Sequence, residues 1–158
     1  MSVPKSVVRF RTKQGKTTIE YTSSVDRVSY TIVELTRAAL RDVGKYLARM
    51  ANSAAMKLPG LKKSRRVRGR TSTFLYNVPW AKSGLPHLEV GVTHDTWYGA
   101  DQELGTSNQP KRQILRNAAH DNIARIIEIE SKYLSALEDE AEALRLISEE
   151  EYSGGGDD

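Results

Sequence analysis

Between Ser24 and Leu58 the sequence holds no proline, and apolar residues return at spacings of three and four. Ile32, Leu35, Ala39, Val43, Tyr46 and Met50 fall on one stripe of a helix with 3.6 residues per turn. Pro59-Gly60 stops that helix. Its start is either Ser24 or Thr31: Thr31 to Glu34 has capping-box spacing, but the preceding SVDRVSY is also compatible with helix. An amphipathic helix of this length is the element against which every other segment has to be placed.

Upstream of it, SVVRFRT and TTIEYTS are β-rich runs around KQGK, where Gly15 suits a turn with positive φ. In the second run Ile19 and Tyr21 alternate with Thr18, Glu20 and Thr22. A lone two-stranded hairpin is marginal in water, so this one must dock on its own domain or on a neighbouring subunit. Downstream, TSTFLYNVPW and PHLEVGVTH alternate around AKSGL and predict a second, half-buried antiparallel hairpin. From Leu115 the helical rhythm returns through Ala119, Ile123, Ile126 or Ile127, Glu130, Leu134, Leu137, Ala141 and Leu144. The order predicts an α+β fold. An antiparallel sheet of hairpins is packed by a long central helix and a C-terminal helix, with extended terminal arms. The expected division is an N-terminal hairpin arm over 1–23, an α+β core over 24–137 and an acidic tail over 138–158.

Charge is distributed unevenly along the 158 residues. Residues 1–70 carry 17 Lys/Arg against 4 Asp/Glu, and residues 71–158 carry 7 against 16, so a net charge of +4 conceals opposite halves. Such polarity suits nucleic-acid contact or self-association through opposite patches. Cysteine is absent, which excludes disulfides, thiolate-ligated zinc and a cysteine nucleophile. No apolar run approaches the roughly 20 residues of a membrane span, and the N-terminus lacks a signal-peptide core. A soluble intracellular product, with no membrane partner, is the expectation.

Motifs that carry catalysis are missing. His87, His94 and His120 lack metal-ligand spacing, no glycine-rich phosphate cradle follows a strand, and no serine sits in a nucleophile elbow. Asp101 and Glu103 are a lone carboxylate pair, which is weak grounds for acid–base chemistry. No enzyme, cofactor or metal is expected. Lys57 to Arg70 carries seven basic residues and no acid. Within it Lys62, Lys63, Arg65, Arg66, Arg68 and Arg70 are candidate interface residues for phosphate or for an acidic protein surface. Without interleaved aromatics or a recognisable reader helix, DNA contact there would be non-specific.

The most ordered stretch is YGADQELGTSNQPKRQILRNAA, residues 98–119. It resembles the signature of the Hong Kong 97 gene-product-ten-like family of tailed-phage proteins. Tyr98, Glu103, Leu104, Gly105, Thr106 and Ser107 match the first part of that signature; Pro110, Arg112, Leu115, Arg116 and Ala118 match the second. Gln113 and Asn117 stand where the family usually has prolines, and Ile114 replaces its phenylalanine. The layout agrees over roughly 30–137. The resemblance implies a non-catalytic virion protein of the head–tail junction, in a neck, tail-completion or tail-terminator role. Such a protein is made in the host cytoplasm and forms a homo-oligomeric ring, a hexamer or else a dodecamer. Its partners would be connector or stopper and tail-tube proteins, with passing DNA as a further non-specific contact. Physically, Tyr98, Glu103, Gly105, Thr106, Pro110 and Leu115 are expected to build a joint between hairpin and helix. Arg112 and Arg116, four apart on one helix face, are expected to reach Glu103 or a neighbouring subunit. The alternative is a small non-specific DNA-binding protein using the loop over 57–70.

Overall fold

A computed structural model describes residues 8–14, 17–57, 74–81, 84–92 and 98–153. Strands β1 (Val8–Gln14) and β2 (Thr17–Ser23) pair antiparallel, with Phe10 opposite Tyr21 and Thr12 opposite Ile19. Helix α1 (Val25–Lys57) follows, then β3 (Phe74–Asn77) and β4 (Glu89–Val92), paired antiparallel and prolonged by a bridge between Trp80 and Pro86. Four helices complete the order: α2 (Tyr98–Leu104), α3 (Ile114–His120), α4 (Ile123–Ser135) and α5 (Glu140–Ser153). A 3-10 turn, Ala136–Glu138, precedes α5. The fold mixes helix and sheet and is mostly helical.

Helix α1 has 33 residues and spans about 50 Å at 1.5 Å per residue. A compact domain of this chain length is only about 40 Å across, so α1 is long enough to serve two separate cores. Its N-terminal half packs Leu35, Ala38 and Ala39 against Tyr133, Ala136, Ala143, Leu146 and Ile147. Its C-terminal half packs Ala51 and Ala55 against Phe74, Ile114 and Ala118, with Met50, Val92 and Leu115 at the rim. Small residues on α1 let both sets of elements come close. Gly44 marks the tightest approach: a Cβ there would stand 2.6 Å from the Tyr76 ring and 2.8 Å from Leu88.

The helix begins at the earlier of its two expected starts, where the Ser23 hydroxyl accepts the Val25 N–H (3.3 Å). Thr31 therefore lies inside the helix, and its hydroxyl donates to the Arg27 carbonyl (3.0 Å) instead of capping. Leu35, Ala39 and Val43 are buried as expected and Tyr46 and Met50 half-buried, but Ile32 is 46% exposed.

Three expectations need correction. The hairpins do not form one sheet; they are separate two-stranded sheets. The first directly precedes α1 in the chain, and the second packs on the C-terminal half of that helix. The C-terminal helix is not continuous. It breaks at Asp121–Asn122, where the Asn122 side chain donates to the Ala118 carbonyl (2.8 Å) and accepts from Tyr46 Oη (2.7 Å). It breaks again at Asp139, whose carboxylate accepts the Ala141 N–H (2.9 Å) and caps α5. Finally, residues 140–153 of the expected tail are not an extended arm but helix α5. Ala143, Leu146 and Ile147 enter the core, and Arg27 ties α1 to Glu140 at 2.8 Å.

Candidate functional site

The stretch from 98 to 119 is a joint between two short helices. Helix α2 ends where the Gly105 N–H donates to the Asp101 carbonyl (2.9 Å). Gly105 then takes φ +78°, in the left-handed region that glycine enters at no steric cost. A Cβ would also meet the Lys111 backbone nitrogen at 2.9 Å, so the returning chain needs a glycine for space as well. Thr106 and Gln109 exchange both backbone hydrogen bonds across a tight turn (3.0 and 3.2 Å), and the Thr106 hydroxyl accepts the Asn108 N–H (3.4 Å). Pro110 follows, exposed, in the non-helical approach to α3.

Glu103 holds the joint closed. Its carboxylate accepts the N–H groups of Leu115 (2.9 Å) and Arg116 (3.2 Å), two of the first four in α3, which have no intrahelical partner. A negative charge there also faces the positive end of the helix dipole. The backbone repeats the link: Arg112 N–H donates to the Gln102 carbonyl (2.9 Å) and Gln113 N–H to the Glu103 carbonyl (3.3 Å). Beyond the joint, Ile114 and Ala118 are buried against α1 and Phe74, and Leu115 packs at the edge of that cluster. On the other side the Asn52 amide donates to the Phe74 carbonyl (2.9 Å) and its oxygen accepts the Phe74 N–H (3.0 Å). That side chain satisfies the first residue of β3 as a neighbouring strand would.

Gln113 separates this joint from the pattern it resembles. It has φ +53°, left-handed in a residue with a Cβ. Proline, fixed near −65°, could neither take that angle nor donate to Glu103. At Asn117, inside α3, the N–H donates to the Gln113 carbonyl (2.9 Å), a second bond that proline would remove.

Arg112 and Arg116 do not share a helix face, since Arg112 precedes α3. Glu103 itself is engaged as a helix cap on the Leu115 and Arg116 backbone. Arg112 lines a shallow groove with Lys57, Asn117 and Asp121, while Arg116 is exposed on α3. Tyr98 opens α2. Lys62, Lys63, Arg65, Arg66, Arg68 and Arg70 lie outside the described residues, as do His94 and the loop to which the six basic residues belong.

Two features escaped the sequence reading. Arg37, Arg41, Lys45 and Arg49 follow one another at four-residue spacing and form a basic ridge on α1. Arg37 stacks over Trp80 (5.1 Å) and Arg49 over Tyr46 (5.6 Å). The spacing was visible; a search for basic runs in the linear sequence does not find it. Opposite in charge is the outer face of α5, where Arg145 is forked between Glu142 and Glu149. The hydrogen bond from Arg145 holds the Glu142 carboxyl below its ordinary range, and the same bond raises Arg145.

Among the described residues, no group of three or more His, Asp or Glu side chains could hold a metal ion. No described helix is long and apolar enough to cross a membrane. No protein-family model, curated protein or solved structure matches the chain.

Proposed function

We propose that this chain is a structural virion protein of the head–tail junction of a tailed bacteriophage. In a neck, tail-completion or tail-terminator role, it would form a ring that joins the tail to the head connector. The observation that carries the reading is the joint. Four residues of the resembling motif serve fold geometry: Glu103 on helix N–H groups, Gly105 and Thr106 in a turn, Leu115 in packing. A motif whose residues position one helix against another suits an assembly protein. Charge polarity supports it as well, because a closed ring needs two different patches that meet on successive copies, and opposite charges steer and register such a contact. Six copies are proposed, twelve being the other closed form, with connector or stopper and tail-tube proteins as neighbours. Electron microscopy and native mass of the purified chain, alone and with candidate neck partners, test this. Closed rings are expected; a monomer that stays single at every concentration and joins no partner would overturn it.

A second reading, non-specific DNA binding, gains from the ridge of Arg41, Lys45 and Arg49, which runs toward Lys57 at the head of the basic segment. A gel shift that weakens steeply as salt rises would favour it.

A further inference from the structure

Helix α4 has two apolar stripes, and the fold uses one. Ile129, Tyr133 and Ala136 face α1 and its core. About 100° round the same helix, Ile123, Ile127 and Leu134, with the charged Glu130 between them and Leu137 in the 3-10 turn beyond, keep the alternating four-and-three spacing of a helix-packing seam. Ile127 is 56% exposed, Leu134 64% and Leu137 44%. Between this seam and Ile32 of α1 runs an open apolar groove of about 270 Å³, floored by Leu35, Ala39 and Tyr133. It is smaller than the roughly 300–1,000 Å³ typical of small-molecule sites, and its mainly apolar lining, interrupted by Thr36 and Glu130, is of the kind that marks a protein contact.

The N-terminal hairpin has the complementary problem. β1 and β2 pack on each other, and no other described element packs substantially against them. A two-stranded ribbon needs a surface to be stable. The backbone register sets Phe10 opposite Tyr21 and Thr12 opposite Ile19. Charge matches the two regions as well: residues 1–23 carry five Lys/Arg against one acid, and residues 121–153 ten acids against three bases.

We propose that the groove between α1 and α4 receives the N-terminal hairpin, residues 8–23, of a second copy of this chain. Each copy then gives an arm and accepts one, a head-to-tail contact that repeats until the ring closes. This inference rests on the ring reading above and names the surface through which successive copies meet.

The chain has no cysteine, so introduced pairs report without background. Full-length Thr12→Cys is mixed with full-length Leu134→Cys and oxidised, with Thr12→Cys plus Arg116→Cys as the control pair; all three positions are exposed. Expected is an intermolecular disulfide at least tenfold above the control. In a second measurement, Ile127→Glu with Leu134→Glu should weaken self-association at least tenfold and leave the helical signal and melting of the monomer intact. A cross-link no better than the control overturns the proposal. So does a disulfide that forms only inside single chains of a Thr12→Cys/Leu134→Cys double variant, which would mean that the arm folds onto its own groove. If rings form normally without the cross-link, the ring reading stands and this contact alone falls. If the unmodified chain forms no assembly, both fall.

Discussion

The two halves of α1 solve the same packing problem by different means. The C-terminal half holds β3, β4 and α3 with directed polar links as well as apolar contact: Asn52 on Phe74, Tyr46 on Asn122, Glu103 on the start of α3. The N-terminal half holds α4 and α5 mainly by burying Leu35, Tyr133, Leu146 and Ile147, with the Tyr133 hydroxyl on Asp42 and the Arg27–Glu140 pair at its edges. Directed hydrogen bonds fix an angle; apolar packing alone fixes contact and leaves apolar surface to spare. The difference teaches where each half is specified. Both halves border open grooves, but the one beside Leu35, Ala39 and Tyr133 is the more apolar.

The largest test of this contrast removes one anchor from each half. Phe74→Ala should cost about 3–5 kcal/mol and Leu146→Ala about 2–5 kcal/mol, read by urea unfolding. Amide exchange then locates the damage: Phe74→Ala should expose α3 and β4, and Leu146→Ala should expose α5. Equal loss of protection everywhere in both variants would show a single core rather than two. A smaller effect isolates the polar link. Glu103→Ala should cost about 1–2 kcal/mol and speed exchange at the Leu115 and Arg116 amides in particular; unchanged rates at those two would sink the cap assignment. The smallest effect lies on the solvent face of α5. Because the folded state lowers the Glu142 pKa, its contribution is present above the unfolded carboxylate range and lost as pH falls through the folded value. Exposure and screening keep it slight. Glu142→Gln should therefore lower the melting temperature marginally at neutral pH and not at all in acid; a difference that grows on acidification would reverse the assignment.

What sequence disclosed follows the same division. Helix α1 and the second hairpin were legible because one repeating stripe, or one alternation, carried each. Phe74 and Val78 are buried and Leu75 is half exposed, as the alternation requires. The C-terminal helices misled because α4 has two apolar stripes, and periodicity cannot say which one faces the core. The stripe that continued Leu115 through Leu137 is largely the outer one. The break at Asp139 left a readable trace, an aspartate with Glu142 three residues on, in capping-box spacing. The motif placed Glu103 in the joint but left no trace of its role as a cap, because its partners are backbone groups twelve and thirteen residues away.

The length of α1 gives the Glu103 joint a mechanical meaning. With hairpin β3–β4 and α3 gripping one end, the helix is a lever of about 50 Å whose other end carries the first hairpin. A 5° tilt at the gripped end would swing the far tip by about 4 Å over that length, close to the spacing between adjacent strands. In the proposed assembly, stiffness at 98–119 would contribute to how accurately the hairpin is aimed, together with α4 and α5 packed along the same helix.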